Sequence, residues 1–312
     1  MENIAVLIPC YNESITIAKV INDFKAYLPD ATVYVYDNNS TDGSDKIAKD
    51  LGAVVRYEKK QGKGNVVRTM FRDINAKCYV MVDADDTYSL EKVRLMCDKV
   101  LNENVDMVVG DRLSSTYFKE NKRPFHNLGN KVVLKTINKL FKSDIRDIMT
   151  GFRVMSYEFV KTFPVISKGF EIETEMTIHA VYRNMNIENV IIEYRDRPEN
   201  SVSKLNTFGD GKKVLIKIFD LYKDYEPLKF FSFIAFVLFI ISTIFFVPIV
   251  IEFLNTHLVP KFPTLIICAF VYITAIISFF TGLILDTVKN KDKRDFETKL
   301  QIFSYLKNKK NL

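Results

Sequence analysis

The chain has 312 residues, 48% of them hydrophobic, with 44 Lys and Arg against 38 Asp and Glu for a formal net charge of +6. The excess is local: residues 1–227 carry +1, 228–288 carry 0 and 289–312 carry +5. Four scattered cysteines without CxxC spacing fit a reduced compartment, three distant histidines argue against a zinc site or a histidine triad, and a basic excess confined to one end argues against a nucleic-acid partner.

In chain order, short β-branched runs predict strands at Ile4–Ile8, Thr32–Tyr36, Val54–Tyr57, Cys78–Val82, Met107–Val109 and Val190–Tyr194. Helices are predicted over Ser14–Tyr27, Ser44–Leu51, Asn65–Ile74, Leu90–Asn102, His126–Phe141 and Glu171–Asn184. The alternation predicts one α/β domain with a Rossmann-like, mostly parallel sheet over residues 1–208, large enough for a proper core. The first strand has no basic leader and no cleavage site, so no secretory signal is expected.

In such sheets ligands bind outside the carboxyl ends of the strands, and the polar clusters fall there. Pro9-Cys10-Tyr11-Asn12-Glu13 follows the first strand, and Asp37-Asn38-Asn39-Ser40-Thr41-Asp42-Gly43-Ser44 follows the second. Either alone reads equally well as a capped turn before a helix. Gly62-Lys63-Gly64 is not a P-loop, because the Ser or Thr that would follow the lysine is missing; a tight turn is the plain alternative. The decisive cluster is Asp83-Ala84-Asp85-Asp86, three carboxylates ending an apolar strand. Packed like charges raise one another's pKa unless a cation joins them, so Mg²⁺ or Mn²⁺ on Asp85, with Asp83, bridging a diphosphate is the economical reading; an exposed acidic turn is the alternative.

Residues 209–227 place Val214, Leu215, Ile218, Leu221 and Tyr222 at helical spacing among lysines, which predicts an amphipathic helix on a membrane surface or an ordinary core helix. Two apolar runs follow. Residues 228–254 and 264–285 are each long enough to cross a hydrocarbon core of about 30 Å. The link between them carries only Lys261 as a full positive charge, whereas residues 286–312 form a basic tail that also suits anionic lipid headgroups. The positive-inside bias then predicts a multi-pass protein of the cell membrane, with catalytic domain and tail both in the cytoplasm.

The successive motifs Ile8-Pro9-Cys10-Tyr11-Asn12-Glu13, Asp37 to Asp42, Gly62-Lys63-Gly64-Asn65 and Asp83-Ala84-Asp85 resemble those of family 2 glycosyltransferases with the GT-A fold. Within that family the chain resembles the polyprenyl-phosphate glycosyltransferases, including the dolichol-phosphate mannosyltransferases and the bacterial undecaprenyl-phosphate glucosyltransferases, which carry a trailing two-helix hairpin. The resemblance implies that Pro9, Glu13, Asp37, Lys63 and Asp83 bind the nucleotide and that Asp83 and Asp85 hold the metal. It implies that Asp147 and Arg153, in Asp147-Ile-Met-Thr-Gly151-Phe152-Arg153, lie near sugar and acceptor; Arg153 either organises the acceptor phosphate or braces the loop. Arg195, Arg197, Ser203 and Lys204 match a basic segment that covers the pyrophosphate and the lipid phosphate, and Arg112 and Arg123 are further candidates for the acceptor. Many relatives carry Gln two positions after the second aspartate; here it is Thr87, which leaves the third protein ligand to water or Asp86.

The implied reaction is an inverting transfer of a sugar from a nucleotide sugar, with a UDP-sugar favoured by analogy, to a polyprenyl (undecaprenyl) phosphate. Such a phosphate is already an ionised nucleophile, so positioning and electrostatics suffice. By resemblance the enzyme is a tetramer, and its product is flipped outward by a flippase for cell-envelope glycan modification. Three alternatives stand. A processive polysaccharide synthase is disfavoured because its QxxRW motif needs a tryptophan and the chain has none. A tethered transferase with another lipid or oligosaccharide acceptor and a non-catalytic recruitment protein remain.

Overall fold

The computed structural model describes residues 1–115, 138, 145–198, 219–220 and 222–310. Of the predicted helix His126–Phe141 only Asn138 is among them, and residues 209–218 and 221 of the predicted amphipathic helix lie outside. The chain forms two compact units, Met1–Ile216 with Phe296–Leu312, and Lys217–Asp295.

The first unit is built on a seven-stranded sheet: β1 (Glu2–Cys10), β2 (Thr32–Asp37), β3 (Val54–Tyr57), β4 (Ala76–Met81), β5 (Met107–Asp111), β6 (Arg153–Ser156) and β7 (Ile187–Ile191). Their order is β3-β2-β1-β4-β6-β5-β7. All neighbours run parallel except β6, which is antiparallel to both β4 and β5. The first helices are α1 (Ile17–Tyr27), α2 (Ser44–Asp50), α3 (Lys63–Asp73) and α4 (Val93–Asn102); α5 (Tyr157–Thr162) and α6 (Ile172–Tyr182) follow β6.

Period-two alternation explains the layers. Ile4, Val6 and Ile8 of β1 join Ile17, Ile21 and Phe24 of α1 and Val93 and Met96 of α4 on one face. Ala5 and Leu7 join Val67, Met70 and Phe71 of α3 and Met176 of α6 on the other. A strand covered on both faces must be apolar throughout, which is why β1 reads as a continuous hydrophobic run. Each Val, Leu, Ile, Met or Phe among them contributes about 1.5–3 kcal/mol relative to leaving it exposed. β6 went unrecognised in the sequence: four residues after a Gly-Phe pair, beginning with an arginine, give no strand signal. The last predicted strand, Val190–Tyr194, is displaced towards the C-terminus from the observed β7.

The second unit is a hairpin of α7 (Pro227–Thr256) with the first part of α8 (Phe262–Lys310). Both helices are long and apolar enough to cross a membrane. Buried Ala235, Ser242 and Ile249 on α7 recur every seven residues, as do Cys268, Ala275 and Gly282 on α8. Apart from Ile249 these are small residues, which at that spacing let two helices approach closely. The Ser242 hydroxyl donates to Cys268 O at 3.0 Å, and a Cβ added at Gly282 would lie 2.9 Å from the Phe231 Cβ. Phe233, Phe236, Phe270 and Ile277 face outward, as lipid-facing side chains do. Glu252 pairs with Lys261 at 3.4 Å beside the turn between the helices. Beyond the predicted span α8 continues to Lys310, and Phe296, Leu300 and Phe303 pack into the apolar layer of the first unit. The tail is therefore a docked helix as well as a basic segment.

Candidate active site

The carboxyl ends of β1 and β2 are stitched together by side chains. Asn12 takes φ 53°, its N–H donates to Ser40 Oγ (2.9 Å) and its Oδ1 accepts from Thr41 N (2.8 Å). Glu13 N donates to Ser44 Oγ (2.9 Å) and Ser14 N to Asp42 Oδ2 (2.9 Å). α1 begins at Ile17 rather than at the predicted Ser14, after a turn in which Thr16 N and Ile17 N donate to Glu13 O. Partial desolvation alone would raise the pKa of the exposed Asp42, but hydrogen bonds from Ser44 and Ser14 bring it down to about 2.

Asp37 ends β2, buried. Its Oδ2 accepts from Ser40 N (3.0 Å), while Oδ1 is buried without a hydrogen-bond partner. A buried carboxylate oxygen in that state is costly unless a ligand supplies the donor. Pro9 lies half-buried in the adjacent strand, in register with Tyr36.

The glycines around Lys63 answer to backbone rather than to phosphate. A Cβ at Gly62 would sit 2.3 Å from Lys168 O and one at Gly64 2.1 Å from Ser167 O, and Gly64 N donates to Lys168 O (3.0 Å). This crossing sets the first turns of α3 and α6 side by side. Lys63 Nζ bonds Asp83 Oδ1 and, at 2.5 Å, Glu173 Oε1. Burial would lower the Lys63 pKa, but Asp83 and Glu173 more than reverse it.

After β4, Asp83 points between Lys63 and Gly151, where an added Cβ would lie 2.1 Å from Oδ2. The Tyr88 hydroxyl accepts from Gly151 N (2.9 Å) and approaches the same oxygen at 3.5 Å. Asp85 is 7% exposed. Its Oδ1 accepts from Thr87 Oγ1 (2.7 Å), and its Oδ2 pairs with Arg197 Nη2 (2.5 Å), whose Nη1 lies 3.3 Å from Glu13 Oε1. Burial raises the Asp85 pKa, helped by Asp83, against the opposing pull of Arg197 and Thr87. Asp86 turns away to Lys19 at 2.6 Å.

The structure thus gathers Glu13, Asp37, Lys63, Asp83, Asp85 and Arg197 at one sheet edge. Asp147 and Arg112 form a buried ion pair of their own at 2.8 Å, and the Arg112 guanidinium stacks 5.7 Å from the Tyr194 ring. Arg153 is fully buried: Nε donates to Thr150 O (3.1 Å), Nη2 to Ile148 O (2.7 Å), and burial pushes its pKa down to about 10. Of its two sequence-based readings this geometry describes the brace, because those bonds direct the guanidinium to the loop's own carbonyls. The Arg195 side chain is exposed, and its N–H donates to Thr87 O (2.9 Å). Arg123, Ser203 and Lys204 lie outside the described residues.

Sequence reasoning overlooked Glu173 and Tyr88. The signal for Glu173 was available: Glu171, Glu173 and Glu175 open a helix whose other residues are mostly apolar, so buried carboxylates needing partners were to be expected. Among the described residues no three His, Cys, Asp or Glu side chains are grouped as a metal site. Asp83 and Asp85 offer hard oxygen donors, and one or two carboxylates completed by substrate phosphates and water is the way proteins usually hold Mg²⁺, so the residues present fit such an ion.

Residues 5–163 match the family described as Glycosyl transferase family 2. The chain is 33% identical to Glycosyltransferase AglJ of Haloferax volcanii over 239 residues, 75% of this chain and 76% of that one. It is 27% identical to a dolichyl-phosphate hexose transferase of the same organism, over 68% of this chain and 91% of that one. Among solved structures the fold is similar to glucosyl-3-phosphoglycerate synthase from Mycobacterium tuberculosis in complex with Mn²⁺, uridine diphosphate and glucosyl-3-phosphoglycerate, with a TM-score of 0.56 at 18% identity over 70% of this chain and 80% of that one.

Proposed function

Because the chain belongs to glycosyl transferase family 2, it is a glycosyltransferase, and we propose that it transfers a sugar from a nucleotide sugar, with a UDP-sugar favoured, to a polyprenyl phosphate at the cytoplasmic face of a membrane, inverting the anomeric carbon. One observation carries the choice of acceptor. The chain that holds Asp83 and Asp85 at a sheet edge continues into two helices long and apolar enough to cross a bilayer. The relative named dolichyl-phosphate hexose transferase, matched over 68% of this chain, supports the same acceptor class.

Each residue then has a task. Asp37 Oδ1 supplies a buried acceptor for the donor's nucleoside, beside Glu13 and Pro9. Asp85, with Asp83, would hold Mg²⁺ or Mn²⁺, which neutralises charge on the departing nucleoside diphosphate. Thr87 keeps Asp85 turned to its place through the 2.7 Å bond. Arg197 supplies a planar fork of donors suited to diphosphate or lipid phosphate, with Arg195 beside it in sequence. The lipid phosphate needs no strong base to attack, so these residues act by orienting it in line and by stabilising the leaving group.

The test incubates purified protein with undecaprenyl phosphate, Mg²⁺ or Mn²⁺ and radiolabelled nucleotide sugars, with Asp85→Ala as control. Label should enter the organic phase from one donor, depend on the metal, vanish in the variant and be released by mild acid. Acid-stable label would point to a different acceptor. No label from any donor would overturn the transfer to polyprenyl phosphate.

A further inference from the structure

We propose that Glu173 is a positioning residue that acts through Lys63 to hold Asp83 in the orientation that the donor nucleotide meets. The inference rests on the nucleotide-sugar reading of the site and extends it to a residue outside every motif.

Lys63, Asp83 and Glu173 come from three places, the first turn of α3, the loop after β4 and the first turn of α6, and meet at one ammonium. Their side chains run from dry to wet: Glu173 is 5% exposed, Lys63 8% and Asp83 26%. Neutralising Asp83 needs one cation, and Lys63 supplies it. A second carboxylate adds a desolvation cost, eased by Lys63 and by the buried Arg153 guanidinium, which feels Glu173 as its largest favourable charge; Glu173 Oε2 is buried without a hydrogen-bond partner.

What Glu173 adds is direction. A lysine on its four-carbon stem with only a solvent-facing partner can swing to follow an incoming phosphate. Held from behind at 2.5 Å, Lys63 stays against Asp83 Oδ1. Oδ2 is fenced on its other side by Gly151, which has no room for a Cβ, and by the Tyr88 hydroxyl at 3.5 Å. The close backbone crossing of Gly62 and Gly64 with Ser167 and Lys168 fixes the separation of α3 and α6 on which this depends. Asp83 is thereby aimed from three sides before any ligand arrives.

The experiment uses full-length wild type, Glu173→Gln, Lys63→Met and the double substitution, reconstituted in lipid nanodiscs. Each is titrated calorimetrically with UDP and with GDP in the presence of Mn²⁺, and donor and acceptor KM are measured for transfer. Glu173→Gln, nearly isosteric, should weaken binding of the preferred nucleotide by about ten- to a hundredfold, the usual loss when a partner that orients a ligating side chain is removed. It should raise the donor KM and leave the acceptor KM unchanged. On the Lys63→Met background the same substitution should cost nothing further, because the path through Lys63 is already gone. Wild-type affinity in Glu173→Gln, or losses that multiply in the double variant, would overturn the proposal while leaving the function intact. A wild type that binds neither nucleotide would overturn both. Should Glu173→Gln fail to fold, the double variant, which removes both buried charges, decides: it must bind as Lys63→Met does.

Discussion

Arg197 reaches the carboxylate that a divalent cation would use, 2.5 Å from Asp85, so arginine and metal compete for it. Arg197→Gln should therefore tighten Mn²⁺ binding measured by electron paramagnetic resonance without nucleotide, while lowering sugar transfer about tenfold or more; changes of the same sign in both would refute the competition. Asp42 allows a pH test. Its folded pKa of about 2 lies below the ordinary carboxylate value, so its contribution to stability is fully present above that ordinary value and is lost as pH falls through 2. Asp42→Ala should cost about 1 kcal/mol or less at pH 7, the group being exposed and screened, and the two proteins should converge near pH 2 in denaturation curves. Asp37, Asp83 and Asp85 were legible in the sequence because a carboxylate ending an apolar strand has few structural uses. Glu173 was not, because a partner 110 residues away in the chain appears only when the fold brings Lys63 to it. Arg153 was visible as a charge, but nothing in a linear string tells a buried brace from a phosphate ligand.

Among the elements, α3 depends on a backbone crossing that tolerates no side chain. Gly64→Ala would place a Cβ 2.1 Å from Ser167 O, against backbone that has no rotamer to change. The expected loss is about 1–3 kcal/mol in urea titration, with donor affinity falling as α6 is pushed from α3. A variant as stable as wild type would mean that residues 167–168 move aside freely. α1, α3 and α4 were legible because each has an apolar stripe at helical spacing; α5 was missed, being too short for a stripe to register, and α6 is buried nearly all round. β6 was not legible: Arg153-Val-Met-Ser156 has a single β-branched residue where the equally short β3 has two, and all four of its residues are buried, so no alternation shows. The continuation of α8 was half legible. Phe296, Leu300 and Phe303 stand at helical spacing, but among eight basic residues they read as a solvated tail until their partner layer is seen.

At the scale of the whole molecule, charge asymmetry predicts that His257, between the two apolar helices, faces away from the catalytic domain's compartment. In intact cells or right-side-out vesicles, His257→Cys should react with a membrane-impermeant maleimide, and Asn308→Cys only after permeabilisation. The four native cysteines are all buried, which keeps the background low. The reverse labelling pattern would invert the topology. The domain and the hairpin were both legible, since sheet alternation and long apolar runs are signals that sum over many residues. The connection from β5 to β6 is a different matter. β5 runs parallel to the strands whose carboxyl ends carry the site, and β6 runs against it, so β5 ends and β6 begins on the same rim of the sheet. Whatever length of chain is inserted between Asp111 and Arg153 departs from that rim and comes back to it, leaving every strand register untouched. Its last residues are bound to the sheet, with Ile148 and Thr150 carbonyls holding Arg153 and Gly151 closed against Asp83, so a change of length is accommodated only ahead of them.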